Sequence, residues 1–231
     1  MTMAYQLTTL NRSLKRNLFY PIVLSSLLAV SIFTGRVVLS RNPVVYNNLV
    51  WNLFLAWMPY LFSLLAAWLH QRSPHRWWLL VLPGLAWVIF FPNAPYLVTD
   101  FLHLQERPYV PLWYDILLLV TFAWTGCFLA IASLRIMQGI VKSFTGRLLS
   151  WAFVMLAIGL SGLGVYLGRF SRWNSWDMLI QPKEIVAEVV GKVSDPLNNL
   201  RFLGFTVLFV SFMTVCYLMF ISMHQAGDQD S

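Results

Sequence analysis

Six apolar runs of membrane-spanning length occupy most of this chain of 231 residues. They cover roughly residues 19–39, 49–69, 77–98, 111–134, 148–168 and 202–222. About 20 apolar residues let a helix cross the hydrocarbon core of a bilayer. A helix also satisfies its own backbone hydrogen bonds, which lipid cannot do for it. The runs therefore predict an all-α polytopic membrane bundle of about six transmembrane helices.

The composition agrees with a membrane protein and excludes several other classes. Charged residues make up 11% of the chain, against about 25% in a soluble domain. In a membrane protein, the net charge of +7 sets topology and attracts anionic lipid. No basic and aromatic module accompanies the charge, so nucleic acid is not an expected partner. Cys127 and Cys216 lie in separate apolar runs, as packing residues do.

The chain divides into a basic N-terminal segment at 1–18, a single transmembrane domain at 19–222 and a polar C-terminal tail at 223–231. No signal-cleavage site follows the first run, so we expect a retained first helix. Lys and Arg in the short loops favour cytoplasmic N- and C-termini. Under either orientation, the loops after the third and fifth runs face the same side of the membrane.

The stretch FFPNAPYLVTDFLHL, from Phe90 to Leu104, interrupts the third run. Pro92 and Pro95 remove two N–H donors, and each disfavours helical geometry at the residue before it. We therefore expect the third helix to break here. Asn93 would be the N-cap of a restarted helix, with Pro95 in its first turn. The free N–H groups of such a restart would suit an anion.

Polar side chains recur at helical spacing after the predicted break. Four of them share one face of a helix: Tyr96, Asp100, His103 and Arg107. Asp100 and His103 could act as an acid and a base. They are also weak candidates for metal ligands, with Asp177 or Asp115 needed as a third. Any one of these residues could instead be structural, but ionisable groups near membrane depth together indicate a functional site.

The segment RFSRWNSWD, from Arg169 to Asp177, would complete that site from the same side of the membrane. Arg169 and Arg172 could bind a phosphate or pair with carboxylates. Asn174 and Asp177 add short polar groups.

Two further features concern packing around this segment. Gly164 and Gly168 form a GxxxG motif, which suits close helix contact within one chain or between two copies. The stretch PKEIVAEVVGKV has apolar residues at helical spacing and begins at Pro182, a residue suited to the first helical position. It predicts a short amphipathic interfacial helix before the last span, or a helix that caps the bundle.

Four motifs carry a family resemblance: WNLFLAWMPY, PNAPYLVTDFLHL, WYDILLL and GVYLGRFSRWNSWD. Over roughly residues 20–222 the chain resembles the uncharacterised membrane family catalogued as domain of unknown function 1361. The resemblance implies a bacterial multi-pass protein, and hence the inner membrane. It implies no reaction, substrate or cofactor.

The leading functional hypothesis is a site at the outer membrane surface for an anionic head group such as a lipid phosphate. Its predicted residues are Asn93, Tyr96, Asp100, His103, Asp115, Arg169, Arg172, Asn174 and Asp177. Asp100 and His103 would be the catalytic pair if chemistry occurs, and whether the protein is an enzyme stays open. Membrane lipids are the expected partners, with a second copy or a membrane-complex subunit as further partners. The alternatives are a non-enzymatic subunit or assembly factor of a larger complex, and a transporter component.

Overall fold

The computed structural model describes residues 3–42, 44–195 and 197–227, and it describes no side chains for residues 3–17, 179 and 224–227. Across these residues the chain is almost entirely helical, and the single β-bridge joins Arg107 to Val110. The all-α prediction is confirmed. The basic side chains of segment 1–18 and the end of the tail at 228–231 lie outside the described residues.

The helices follow one another with short connections. They are α1 (Met3–Ser40), α2 (Asn47–Arg72), a 3₁₀ turn (Trp77–Leu80), α3 (Val81–Phe90), α4 (Asn93–Tyr96), a second 3₁₀ helix (Leu97–His103), α5 (Leu112–Tyr166), a π-helical segment (Leu167–Ser171), α6 (Asp177–Ile180), α7 (Pro182–Ser194) and α8 (Leu200–Gly227). The helix that carries the first apolar run thus begins at Met3, well before the run itself.

Five segments of the described chain are long and apolar enough to cross a membrane. They are Leu18–Ser40, Asn47–Arg72, Trp77–His103, Leu112–Ser171 and Leu200–Met223. The fourth has 60 residues, which would extend about 90 Å as one straight helix. A hydrocarbon core is only about 30 Å thick, so this segment cannot be a single straight span.

The long helix α5 reverses direction at Gly146. That residue has φ of 83° and ψ of −174°, a conformation that glycine adopts at little cost. A Cβ on Gly126 would collide with the carbonyl oxygen of Ala94, and one on Gly164 would lie 2.7 Å from the ring of Pro92. Both halves of α5 therefore contact the short stretch of chain around α4. α5 is thus a hairpin of a first arm (112–145) and a second arm (147–166). With the other four segments, these two arms give six helical segments long enough to cross a membrane, the number that the sequence predicts.

The α5 hairpin lies at the centre of the bundle. In its most apolar window 67% of the residues are buried, whereas no other segment exceeds 39%. Tyr217 of α8 contacts both arms, because its hydroxyl donates to Gln138 at 2.7 Å and its ring lies 6.2 Å from that of Trp151. We call the end of the bundle that holds the loops after α1, before α5 and after the π-helical segment the site end.

The third span breaks where the sequence predicts, but in a different way. α3 ends at Phe90, and Phe91 and Pro92 keep right-handed helical geometry, with φ of −55° and −61°. The chain therefore never opens into the extended residue that an N-cap requires. The Asn93 side chain donates to the carbonyl of Phe90 at 3.0 Å, so it closes the end of α3. The predicted N-cap role is wrong, and α4 is a single turn with no open N-terminus for an anion.

The predicted amphipathic helix is present as α7, which starts at Pro182. Ile185 is buried, while Val186, Val190 and Val193 stay exposed. Glu188 points to the bundle, where it accepts hydrogen bonds from the π-helical segment and the following loop. α7 therefore docks through Ile185 and Glu188 and leaves a stripe of three valines uncovered within the described chain.

Candidate functional site

Arg169, in the π-helical segment, is the centre of a cluster that we call the Arg169 hub. Its guanidinium donates to the Asp100 carboxylate at 2.5 Å, to the Thr99 hydroxyl at 2.8 Å and to Nε2 of His103 at 2.7 Å. Its Cζ lies 4.3 Å from the centre of the Tyr96 ring, which adds a cation–π contact. The hub thus joins the second arm of α5 to the broken third span.

Local backbone geometry brings these five side chains together. A 3₁₀ helix has three residues per turn, so Asp100 and His103 stack on one face. Gly168 lets the second arm approach, because a Cβ there would lie 3.3 Å from the Tyr96 ring. The GxxxG motif therefore packs against the broken span of the same chain, which is the intramolecular alternative.

The hub is largely buried and internally bonded. The side chains of Arg169 and Asp100 are 8% and 5% exposed. Asn52 of α2 also donates to Asp100, at 3.3 Å. Because Nε2 of His103 accepts from Arg169, its ring proton lies on Nδ1. Asp100 and His103, the predicted catalytic pair, thus share Arg169 as a partner and make no hydrogen bond to each other in the described chain.

A pocket of about 140 Å³ opens beside the hub. Tyr96 belongs to both, and Asn52, which donates to Asp100, also lines the pocket. Three indoles contribute to its walls: Trp51, Trp173 and Trp176. Neutral polar side chains line it as well: Asn93, Asn174 and Ser175. Among the described residues, no Lys, Arg, His, Asp or Glu lines this pocket. It is therefore polar and aromatic without being charged.

One wall of the pocket is the loop that follows the π-helical segment. Asn93 donates to the Ser175 hydroxyl at 2.7 Å, which joins this loop to the helix break. The Trp173 indole donates to Glu188 at 2.6 Å. Asp177 accepts from the Asn174 backbone at 2.7 Å, so it stabilises the turn that presents Asn174.

Glu188 holds this wall through three donors: Ser171, Trp173 and Lys192. Burial raises the pKa of Glu188, but the hydrogen bonds from these donors lower it more. The net pKa lies below the ordinary value of 4.5. The carboxylate, which accepts all three hydrogen bonds, is the form that holds the wall.

The predicted site residues lie in different parts of the structure. Tyr96, Asp100, His103 and Arg169 meet in the hub. Asn93 and Asn174 line the pocket, and Tyr96 lines it too. Asp177 supports the turn beneath Asn174. Arg172 is exposed in left-handed geometry, with φ of 63°; its backbone N–H donates to the Leu167 carbonyl, and its side chain bonds no described residue.

Among the described residues, Asp115 bonds no member of the hub, and it does not line the pocket. It accepts two hydrogen bonds from Arg36, at 2.7 and 3.1 Å, and both side chains are 1% exposed. The predicted helical face of polar side chains also ends before Arg107, because the 3₁₀ helix ends at His103 and the next residue is extended. Arg107 lies instead over the ring of Tyr46.

The weak metal candidates are committed to other partners. Asp100 and His103 both bond the guanidinium of Arg169, a cation that opposes the binding of another cation between them. Asp177 bonds Asn174. In the described part of the chain no three His, Cys, Asp or Glu side chains are grouped as metal ligands would be.

Several residues of the site were not selected by the sequence prediction. Trp51, Asn52 and Ser175 line the pocket, and Thr99 belongs to the hub. An amide inside an apolar run indicates that Asn52 is a hydrogen-bond partner between helices, with a ligand as the alternative partner, since buried polar groups in membrane spans need partners. No comparable signal distinguishes Trp51 from the other tryptophans of the chain.

A second, larger groove of about 690 Å³ lies between the first arm of α5 and α8. Its lining is apolar apart from the thiols of Cys127 and Cys216. It offers few groups that could orient a polar ligand, so the polar pocket is the better candidate site.

A helical bundle with several membrane-length segments and a polar pocket at one end defines a multi-pass membrane protein. The chain belongs to the protein family of unknown function DUF1361, whose family model matches residues 51–224. No curated protein and no solved structure shows significant similarity to it. The matched region contains the whole hub and the whole pocket, whereas Arg36 lies before it.

Proposed function

We propose that this protein binds the polar head group of a membrane amphiphile in the pocket at the site end of the bundle. The supporting observation is the lining itself. Asparagine, serine and tyrosine side chains converge with three indoles at a helix break in an otherwise apolar segment. Irregular backbone at membrane depth is tolerated where protein or a wet cavity surrounds it.

The size and position of the pocket favour a head group over a whole ligand. Its volume of about 140 Å³ is smaller than the roughly 300–1,000 Å³ of sites for drug-sized molecules. Leu55 and Ile89 line it from the apolar segments, while Ser175 and Trp176 line it from the loop. A ligand that is polar at one end and apolar at the other fits such a boundary.

The exposed valines of α7 support a position at the membrane surface. Val186, Val190 and Val193 form a stripe on the helix that follows the loop wall of the pocket. Helices of this kind lie in the interface with their apolar side toward the acyl chains. The short-loop charges favour a position of this end outside the cytoplasm; in a bacterium that would be the outer face of the inner membrane.

Binding accounts for the geometry better than catalysis or transport does. Asp100 and His103 are both occupied by Arg169, so neither is poised toward the pocket as a free acid or base. A transporter would need polar groups along a path through the spans. Asn52 and Asp115, the strongest candidates for such a path, are bonded to Asp100 and Arg36.

Native mass spectrometry of the protein in mild detergent, with membrane lipid extract added, tests the proposal. We expect a stoichiometric lipid adduct that Trp51→Ala and Trp176→Ala weaken about tenfold, a loss of about 1.4 kcal/mol. Trp78→Ala is the matched control, since Trp78 is similarly exposed but does not line the pocket. An adduct that survives both pocket substitutions would contradict the proposal. A copurifying protein in place of lipid would favour a complex subunit.

A further inference from the structure

We infer that the pocket takes an uncharged, hydroxyl-rich head group, of the sugar or polyol kind, and not a phosphate. This inference rests on the proposed function and specifies its ligand. It follows from which hydrogen-bonding atoms the protein has already used and which it leaves free.

The orientations of two pocket amides are set by their partners. Asn52 donates through Nδ2 to the Asp100 carboxylate at 3.3 Å, and Asn93 donates through Nδ2 to the Phe90 carbonyl at 3.0 Å. A carboxylate and a carbonyl have no proton to give. The amide nitrogen must therefore face each acceptor, and the amide oxygen must face the other way.

The amide oxygens remain available to a ligand. Oδ1 of Asn52 and Oδ1 of Asn93 accept no hydrogen bond from the described residues. Neither atom is among the described polar atoms that are both buried and without a partner, so each keeps some accessible surface. Asn174 follows the same pattern, since its Nδ2 donates to Asp177 at 3.2 Å. The pocket thus offers amide oxygens that need hydrogen-bond donors.

Hydroxyl groups satisfy these oxygens, and phosphate oxygens do not. A hydroxyl donates one hydrogen bond and accepts others, whereas an ionised phosphate only accepts. Ser175 accepts from Asn93 at 2.7 Å and can donate its own proton to a ligand oxygen. A head group with several hydroxyls can therefore complete both kinds of bond within the pocket.

The charged groups near the pocket argue in the same direction. Phosphate sites use arginine, lysine or clustered backbone N–H groups. All three guanidinium nitrogens of Arg169 donate within the hub, and α4 is too short to offer a helix N-terminus. An ammonium head group would require a carboxylate partner, but Asp100 is paired with Arg169 and does not line the pocket.

The indoles complete the match to a sugar or polyol. Trp51 is 53% exposed, so part of its surface is free for contact. The indole N–H of Trp173 is bonded to Glu188 at 2.6 Å, which fixes the ring at the pocket wall. Flat apolar ring faces suit the C–H side of a sugar ring, while the amides bind its hydroxyls.

A titration with three lipids that share one diacylglycerol body tests the inference. The probes are monoglucosyl diacylglycerol, phosphatidic acid and phosphatidylethanolamine, each added to the purified full chain and followed by native mass spectrometry. We expect the glucosyl lipid to bind at least about tenfold more tightly than the other two. Trp51→Ala and Ser175→Ala should weaken it about tenfold, and Trp78→Ala should not.

The outcomes separate the two proposals. Tighter binding of phosphatidic acid, lost in both pocket variants, would overturn the sugar or polyol assignment and leave head-group binding intact. Binding of none of the lipids, or binding that no pocket variant alters, would overturn both. Thermal unfolding of each variant shows whether it folds. Trp176→Ala replaces any variant that does not.

Discussion

Arg36 and Arg169 are two buried arginines that pair with an aspartate at the same end of the bundle, yet they have different surroundings. Arg36 and Asp115 bond each other twice and are each 1% exposed. The pair joins the end of α1 to the start of α5. Arg169 and Asp100 are slightly more exposed, and the guanidinium of Arg169 also bonds two other side chains of the hub.

The difference lies in what adjoins each pair. Tyr96 and Asn52, which contact the Arg169 pair, also line the polar pocket. The neighbour of the Arg36 guanidinium is the ring of Tyr46, 4.9 Å away, and neither Arg36 nor Tyr46 lines that pocket. The Arg36 pair therefore links helices and reaches the hub through the Tyr46 hydroxyl, which donates to the His103 carbonyl at 3.2 Å. The Arg169 pair links helices and also contacts a pocket wall directly. A buried arginine alone distinguishes neither role.

The largest expected effect is that of Arg36→Ala. It leaves Asp115 buried without a counter-charge, which costs about 3–5 kcal/mol of unfolding free energy. Denaturant unfolding in detergent measures the loss, with exposed Arg72 replaced by Ala as the control. Lipid binding by the folded fraction should not change. Stability equal to that of Arg72→Ala would show that the pair is not a structural link.

A double substitution sharpens this result. Arg36→Met with Asp115→Leu removes both charges and keeps apolar volume, so we expect it to recover most of the lost stability. A double variant as unstable as Arg36→Ala would mean that packing around the pair, and not the uncompensated charge, causes the loss.

Arg169→Ala should destabilise the protein less than Arg36→Ala, but it should also weaken lipid binding. The aspartate left behind is slightly more exposed and keeps the hydrogen bond from Asn52. Tyr96 loses its cation–π partner and the pocket wall shifts. Unfolding and lipid titration on the same samples measure both effects. Unchanged lipid affinity in folded Arg169→Ala would mean that the Arg169 pair, like the Arg36 pair, is only a structural link.

The sequence predicts local features of this molecule well. Apolar length defines the spans, and proline chemistry locates the break at Pro92. The loops after the third and fifth apolar runs face the same side of the membrane, which predicts that Arg169 lies near Asp100. Each of these inferences depends on nearby residues or on the parity of membrane crossings. The fold and four of the five hub residues could therefore be predicted before any contact was known, whereas Thr99 was not selected.

Long-range pairing could not be predicted in the same way. Arg36 lies 79 positions from Asp115, and nothing near Asp115 indicates that its partner is on α1 rather than in the hub. Whether the Arg169 guanidinium binds a ligand or its neighbouring side chains depends on atomic positions at the scale of a hydrogen-bond length, which sequence patterns do not specify. Asn93 failed as an N-cap because tertiary packing keeps Phe91 helical despite the following proline.

Gly164→Ala tests the approach that lets Arg169 reach the broken span. The added Cβ would lie 2.7 and 2.9 Å from ring atoms of Pro92, so the second arm must move away. Overpacking of this kind costs about 1–3 kcal/mol. Gly159→Ala on the same arm is the control, because its Cβ would meet nothing within 4 Å. We expect Gly164→Ala, and not Gly159→Ala, to lower stability and lipid affinity. Equal effects of the two substitutions would show that close approach to Pro92 does not require glycine at position 164.

The smallest expected effect is a pH dependence of the stability of the pocket's loop wall, which should not extend to the Arg36 pair. The pKa of Glu188 is lower in the folded protein than its ordinary 4.5, so its stabilising contribution is present above about that pH. The contribution is lost as pH falls through the lower folded value. Protonation weakens the bonds from Ser171 and Trp173, which frees the loop wall of the pocket.

Hydrogen exchange of α7 and the loop wall, corrected for intrinsic rates, measures this release. We expect protection in the wild type to fall below about pH 4.5, and protection in Glu188→Gln to be low and independent of pH. Glu184→Gln on the exposed part of α7 is the matched control and should behave as wild type. Amides around Asp115 should keep their protection in all three proteins, because no contact of Glu188 reaches the Arg36 pair. Loss of protection at both arginine pairs together would mean that the two are coupled parts of one acid-sensitive unit.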